Sequence, residues 1–365
     1  MKSYSEFMEY IKENVTDYLP ERFEEAEISI QQVVKNNDVV LDGLNIRNPD
    51  SNLSPNIYLN PLYEQYQKGR NLDELVSSIA DTYIENMEPI ENRTFQVQIE
   101  DIKNYEVVKG EIFPRLVNLE KNTTRLQNVP YTQREDLAIT YHVKVSGNRD
   151  SIGSLMITNE LMEVYGVTKE KLHTQAMENM ERLSPLVFLP LGEMIVDVMT
   201  EDFGRNEGVS QEEAKEYVKD MIPTGGPNVY CLTNQYKMNG AVGIMSGSIQ
   251  QMVADRVGGD YYVIPSSVHE VLIVPQSAGM DPEELTDMVN TVNEGCVMQD
   301  EILSDHVYQY DAKEHKLSLC APAKEMKQEQ TMEQNRQPAF EEKSIDATKQ
   351  PEQSHEPIKH SGRSH

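Results

Sequence analysis

Paired apolar segments joined by short turns constrain the fold of this chain more than any other feature. Three such pairs occur, with candidate strands at 27–34 and 39–46, at 261–264 and 270–274, and at 307–310 and 316–319. Strands joined by so short a connection pair antiparallel, because a parallel crossover needs about a dozen or more residues. The sequence therefore predicts small, largely antiparallel sheets.

Helical periodicity fills much of the chain between these pairs. Residues 4–19 carry apolar side chains at i, i+3, i+4 and i+7 spacing, behind a capping box formed by Ser3 and Glu6. Asp281 and Pro282 have the form of a helix start, with Asp at the N-cap and Pro at the first helical position. Because hairpins outnumber βαβ crossovers, we expect the fold class to be α+β.

Two further segments are assigned from their local pattern. Residues 105–120 predict a helix, in which Pro114 is either a kink or the start of a second helix. Residues 241–245 are a short apolar run and predict a strand.

The chain divides by composition into three parts. We expect an N-terminal α/β-hairpin module at 1–100 and a C-terminal α+β module at 105–320, each a small, largely antiparallel sheet packed on helices, with a polar connection near 89–104. The tail at 321–365 is rich in Gln, Glu, Lys and Ser and poor in apolar residues. Such a segment buries too little apolar surface to offset its ordering entropy, so we expect a disordered tail.

The charge balance restricts the class of partner. The chain has 61 Asp and Glu residues against 33 Lys and Arg, which gives a formal net charge of -28. Nucleic-acid backbones and anionic lipid surfaces are bound through Lys and Arg, so this excess of acid argues against nucleic-acid and membrane partners. An acidic protein that imitates nucleic acid and occupies a basic partner stays open as an alternative.

The sequence also indicates a compartment. Its first residues lack the apolar core of a secretory signal, and the most apolar stretch, at 183–199, is interrupted by proline and acidic residues. The cysteines, Cys231, Cys296 and Cys320, form no C-x-x-C pair. We therefore expect a cytoplasmic protein with reduced thiols.

Familiar catalytic motifs are missing from the sequence. It contains no G-x-S-x-G elbow, no Walker-type phosphate loop, no G-x-G-x-x-G and no H-E-x-x-H. His306 and His315 could meet across the last strand pair, but no third ligand can be named for them. We expect neither a metal nor a cofactor.

The candidate catalytic residues lie at the tip of the 261–274 hairpin. A hydrolase hypothesis makes His269 a general base and Ser266 or Ser267 the nucleophile. Glu270 cannot orient the imidazole in that scheme, because adjacent strand residues point to opposite faces. The competing interpretation is that these residues form a turn and its strand edge, with no catalytic task.

Several long segments resemble a known family. They are NNDVVLDGLNIR with PNIYLN at 36–47 and 55–60, FPRLVNLEKN at 113–122, EDLAITYHV at 135–143, and GGDYYVIPSSVHEVLIVP with LSDHVYQYDAKEHKL at 258–275 and 303–317. Over nearly all of residues 1–320 the chain resembles a bacterial family of unknown function, number 5688 in the domain-of-unknown-function series. It is more faintly similar to the uncharacterised family 1444. The resemblance implies a cytosolic bacterial protein but no activity, substrate or catalytic residue.

These observations leave two main functional hypotheses. The leading one is a non-enzymatic binding or protein-interaction protein with a protein partner, because no catalytic, phosphate-loop or metal signature is present. The alternative is a hydrolase-like enzyme that uses Ser266 or Ser267 with His269. The oligomeric state stays open.

Overall fold

The structure, a computed structural model, describes residues 1–48, 54–91, 97, 99–147, 152–219, 221, 228–265 and 267–320. Residues 1–320 form one compact unit. The C-terminal segment at 321–365, for which the sequence predicts disorder, lies outside the described residues. The module boundary near residues 100–105 stays a prediction from the sequence.

Helices and antiparallel strands alternate along the described chain, which confirms the α+β class. The helices are α1 (Tyr4–Asn14), α2 (Leu59–Gln67), α3 (Leu72–Glu91), α4 (Tyr105–Val108), α5 (Thr123–Leu126), α6 (Asn159–Tyr165), α7 (Lys169–Leu183), α8 (Leu191–Glu207), α9 (Gln211–Lys219), α10 (Gly247–Val257) and α11 (Pro282–Gly295). The strands are β1 (Glu27–Val34), β2 (Val40–Arg47), β3 (Asn56–Tyr58), β4 (Ile112–Asn118), β5 (Tyr131–Arg134), β6 (Leu137–Gly147), β7 (Ile152–Met156), β8 (Leu186–Pro190), β9 (Tyr230–Asn234), β10 (Tyr261–Ile264), β11 (Val271–Pro275), β12 (Tyr308–Asp311) and β13 (Lys316–Leu319).

The strands build three antiparallel sheets. The first has the order β1-β2-β3, and the second has the order β4-β6-β5 with β7 also paired to β6. The third has the order β13-β12-β10-β11-β9-β8. All three hairpins expected from the sequence are present, as β1 with β2, β10 with β11, and β12 with β13. The short connections therefore predicted the pairing correctly.

Two of the helix starts follow the expected capping chemistry. At α1 the Ser3 side chain accepts from the Glu6 main-chain N–H, and the Glu6 carboxylate accepts from the Ser3 N–H at 2.7 Å. At α11 the Asp281 side chain accepts from the Glu283 N–H, and Pro282 opens the helix. Each cap satisfies main-chain donors that the first helical turn leaves without partners.

Buried apolar side chains form two main cores. The N-terminal core lies between α1, α3 and the first sheet, and includes Phe7, Ile11, Leu44, Ile46, Leu75 and Tyr83. The central core lies between the second and third sheets with α7 and α10, and includes Ile112, Tyr141, Leu172, Val253, Tyr261 and Ile273. The place where the N-terminal hairpin reaches the second and third sheets is therefore a junction between separately packed cores.

Two of the sequence assignments were wrong. The predicted helix at 105–120 is a single turn of helix, α4, followed by strand β4. Pro114 is accommodated because β4 lies at the edge of its sheet and pairs with β6 alone, so its missing N–H interrupts no second ladder. The predicted strand at 241–245 is instead a 3₁₀ helix, Gly240–Met245.

The three thiols differ in their environment, and this gives a first testable expectation. Cys231 is buried in β9, and this burial raises its pKa to about 12. Cys320 is half-buried with a raised pKa, whereas Cys296 is exposed. A pKa of about 12 leaves roughly a thousandfold less thiolate than an ordinary cysteine has. We expect Cys296 to react rapidly with a chromogenic disulfide in the native protein, and all three thiols to react after denaturation.

The control for this measurement is Cys296→Ser, which should remove the rapid phase and leave the two slow ones. A rapid phase that survives this substitution, or fewer than three thiols in the denatured and unreduced protein, would contradict the expectation.

Candidate functional site

The turn between β1 and β2, residues 35–39, holds the N-terminal hairpin against the rest of the protein, and we call it the docking turn. Asn37 lies at φ 58°, in the left-handed region that Asn tolerates better than most residues. Its Nδ2 donates to the carbonyl oxygens of Gln299 at 2.8 Å and Ile302 at 2.7 Å. Its N–H donates to Asn122 Oδ1 at 2.9 Å, and Asn122 Nδ2 donates back to Asn37 Oδ1 at 2.9 Å.

A concave cavity of about 280 Å³ lies beside the docking turn, and we call it the junction pocket. One wall is the end of β1 with the docking turn, and the opposite walls come from β4, α5, β6 and the loops near residues 239, 268 and 300. Cavities between separately packed units are a common place for ligands to bind. The pocket is also slightly smaller than the roughly 300–1,000 Å³ that is typical of sites for drug-sized molecules.

Two arginines line this pocket. Arg115 lies in the middle of β4, and its Nη2 donates to Ser154 Oγ at 2.8 Å. Its Nε is shielded from solvent and has no hydrogen-bond partner among the described residues. Arg125 comes from α5, and in the described part of the chain no carboxylate lies within ion-pair distance of either guanidinium group. Asp38, the nearest acid in the docking turn, accepts instead from the Thr124 and Arg125 main-chain N–H groups.

Burial and mutual repulsion perturb the titratable groups of the pocket. Burial first, and the charge of Arg125 second, lower the pKa of Arg115 to about 10. Burial likewise lowers the pKa of Arg125, against the attraction of Asp38. His142, which is 3% exposed on β6, has a pKa well below its usual value because of burial first and the two guanidinium groups second. The imidazole is therefore neutral at pH 7, and the pocket lining also carries Lys35 and the acidic residues Asp300 and Glu301.

His269 occupies another edge of the junction pocket. Its Nε2 lies 3.2 Å from Glu301 Oε1, and its Nδ1 accepts from the Asn239 main-chain N–H at 3.2 Å. Both ring nitrogens thus have a partner, and the carboxylate that meets the imidazole is Glu301. This contact was not predicted, because residues 269 and 301 lie in different loops.

Ser267, one of the two proposed nucleophiles, is hydrogen-bonded to groups other than this imidazole. The Ser267 hydroxyl donates to Glu270 Oε1 at 2.8 Å and accepts from the His269 main-chain N–H at 3.0 Å. Across the residues that the structure describes, Ser267 has no hydrogen bond to the His269 ring. Ser266 lies outside the described residues. The hydrolase hypothesis therefore stays a prediction from the sequence.

A close main-chain approach fixes the loops at this edge. The Gly240 N–H donates to His269 O at 2.9 Å. A Cβ at residue 240 would lie 2.6 Å from Asn234 N and 2.7 Å from His269 O, so no larger residue fits without moving main chain. Glycine at this position allows Asn239 and His269 to share the pocket wall.

The two histidines of the last hairpin have separate partners. His306 Nδ1 lies 3.1 Å from Asp136 Oδ2, whereas His315 Nδ1 lies 3.4 Å from the Tyr310 hydroxyl. Among the described residues, no three His, Cys, Asp or Glu side chains come together in a way that could hold a metal ion. In the same part of the chain, no helix combines the length and apolar composition needed to cross a bilayer.

A larger cavity, of about 450 Å³, lies between β8, α8 and α9. Its two lysines are already paired, Lys215 with Asp197 at 3.6 Å and Lys237 with Glu201 at 2.9 Å. The junction pocket differs because, in the part of the chain that the structure describes, its arginines have no such acidic partners, and this difference makes it the stronger candidate for a ligand site.

Most residues of the junction pocket were not identified from the sequence. Arg115, Arg125 and His142 come from segments that meet only in the folded chain. One signal was available, since Arg115 interrupts the apolar run Ile112–Asn118, where a charge is costly unless it has a task. That signal was lost when the segment was assigned to a helix.

Comparison with known proteins gives one match. Residues 4–312 match the family described as "Family of unknown function (DUF5688)". No curated protein and no solved structure matches the chain.

Proposed function

Since the chain belongs to the Family of unknown function (DUF5688), whose description gives no activity, we propose a function from its own geometry: it is a binding protein that holds a small anion in the junction pocket. The observation that carries the proposal is the pair of guanidinium groups, Arg115 and Arg125, that face one cavity without an acidic partner among the described residues.

An anion is expected to bind because the two guanidinium groups are partly buried and repel each other. A buried donor without a partner costs about 1–3 kcal/mol, and more if it is charged. Arg115 Nε is such a donor, and the neighbouring charge of Arg125 adds repulsion. An anion between the two guanidinium groups would supply hydrogen-bond acceptors and would also offset the repulsion between their positive charges. Arginine suits this role because its fork of N–H donors matches the oxygens of a phosphate or a carboxylate.

The net charge of the whole protein also supports the proposal of a bound anion. With a net charge of -28, the protein has many carboxylates available to pair with any arginine. Two arginines that nevertheless lie together without carboxylate contacts are best explained by an anion that is not part of the chain. The protein partner expected from the sequence is a separate prediction.

The test is the thermal stability of the full chain in phosphate compared with chloride at equal ionic strength. A ligand that binds the folded state stabilises it by about 2.7 kcal/mol at one hundred times its Kd, so phosphate should raise the Tm measurably. Arg115→Met keeps an unbranched side chain but removes the guanidinium group and its charge, and it should abolish the shift. Arg70→Met, at an exposed arginine outside the pocket, is the matched control and should leave the shift unchanged.

Equal Tm values in phosphate and chloride for the unaltered protein would contradict the proposal. So would a phosphate shift of the same size in Arg115→Met.

A further inference from the structure

A second residue that lines the junction pocket has a side-chain atom without a hydrogen-bond partner in the described part of the chain, and this atom is an acceptor, whereas the arginines offer donors. Asn36 lies in the docking turn and lines the pocket. Its Nδ2 donates to the Asp300 carbonyl oxygen at 2.9 Å, which fixes the orientation of the amide. Its Oδ1 is shielded from solvent and, among the described residues, accepts no hydrogen bond.

Two residues that line the pocket therefore each carry a shielded polar atom that has no hydrogen-bond partner among the described residues: an acceptor, Asn36 Oδ1, and a donor, Arg115 Nε. Native proteins leave few buried polar atoms unpaired, and an unpaired atom at a cavity is commonly explained by a water, an ion or a ligand. A simple anion satisfies the arginine but offers nothing to the asparagine. From this asymmetry we infer that the ligand carries a hydrogen-bond donor beside its anionic group, and that Asn36 selects for that donor; this inference rests on the proposed anion binding.

The positive charges of the two arginines and the apolar residues of the pocket wall favour one ligand class, namely small phosphorylated alcohols with free hydroxyl groups. A phosphate monoester carries about -1.5 to -2 at pH 7, which matches two guanidinium groups better than a single carboxylate does. Leu116, Val117 and Val268 supply apolar wall for a short carbon chain.

Asn36 and Arg115 come from different parts of the fold. Asn36 belongs to the N-terminal hairpin, whereas Arg115 belongs to the second sheet. A ligand that bonds to both spans the junction between the two cores, with its phosphate toward the second sheet and its hydroxyl toward the docking turn.

The experiment compares two probes by titration calorimetry on the full chain: glycerol phosphate and propyl phosphate, which have the same charge and chain length but differ in hydroxyl groups. We expect glycerol phosphate to bind about tenfold more tightly, because propyl phosphate leaves the buried acceptor unpaired. Asn36→Leu should bind both probes equally, near the affinity of the unaltered protein for propyl phosphate. Asn206→Leu, at an exposed asparagine of α8, is the control and should keep the tenfold preference.

The outcomes separate the inference from the proposed function. If neither probe binds the unaltered protein, the proposed anion site is wrong, and the inference falls with it. If both bind with equal affinity, the anion site stands but the role of Asn36 is overturned, and a water molecule accounts for its Oδ1. If Asn36→Leu does not fold, the ratio of the two affinities in the unaltered protein still decides between these results.

Discussion

Replacing Asn37 with glycine is expected to lower the free energy of unfolding by about 3 kcal/mol. The substitution removes three side-chain hydrogen bonds, to Gln299, Ile302 and Asn122, and each is worth about 0.5–1.5 kcal/mol net. Glycine accepts the φ of 58° without strain, so the loss reports the hydrogen bonds together with the greater freedom of glycine in the unfolded chain, which Glu135→Gly shares. Asn37→Ala should lose about 1 kcal/mol more, because alanine is strained in the left-handed region.

Urea denaturation of the full chain measures both values. The matched control is Glu135→Gly, because Glu135 is exposed and also has a positive φ, of 52°, but its side chain has no hydrogen bond to a distant residue in the described structure. That variant should be as stable as the unaltered protein or slightly more stable. A loss for Asn37→Gly no larger than for Glu135→Gly would show that the docking turn does not hold the hairpin in place.

Gly240→Ala is the second substitution with a large expected effect, again about 3 kcal/mol of lost stability. The added Cβ would lie 2.6 Å from Asn234 N and 2.7 Å from His269 O, which are main-chain atoms that cannot turn aside as a flexible side chain does. Relief requires the two loops to separate, which breaks the hydrogen bond from Gly240 N–H to His269 O. Since this contact shapes one wall of the junction pocket, phosphate binding should weaken in the same variant.

Gly247→Ala provides the comparison, because a Cβ there meets no atom within 4 Å. Gly247 opens α10, and alanine is the better helix former by up to about 1 kcal/mol, so this variant should be unchanged or more stable. Chemical denaturation and phosphate titration of both variants give the two readouts. If the two alanine variants behave alike, the close approach at Gly240 has no energetic importance.

The hairpins could be predicted from the sequence because their information is local. Pairing, approximate ends and turn positions for β1 with β2, β10 with β11, and β12 with β13 follow from apolar runs and the turn residues between them. The strand β4 was missed because Pro114 was weighed as a helix residue, and the sequence does not say that this strand would lie at a sheet edge. The apolar run at 241–245 was misassigned because a short buried run has no periodicity that separates a strand from a helical turn.

The candidate site could not be predicted for a different reason. Of the junction-pocket residues, His269 could be identified as a candidate from the sequence, because it lies near two serines at a predicted hairpin tip. Asn36 and Arg115 each have one shielded side-chain atom without a hydrogen-bond partner among the described residues, and within the same residues Arg115 and Arg125 have no ion-pair partner. The absence of a partner is a property of the tertiary structure, and no local pattern carries it.

The position of the docking turn beside the junction pocket links the proposed ligand to the attachment of the N-terminal hairpin. Residues 36–38 of the docking turn bond to Asn122, to the main chain at 299–302 and to the start of α5, and Lys35 and Asn36 line the junction pocket. If the proposed ligand bonds to both sides of this pocket, it must leave whenever the hairpin detaches, and its concentration would then set how often the N-terminal segment opens as a separate cooperative unit. The proposed site would in that way couple the supply of a small metabolite to the lifetime of the closed form.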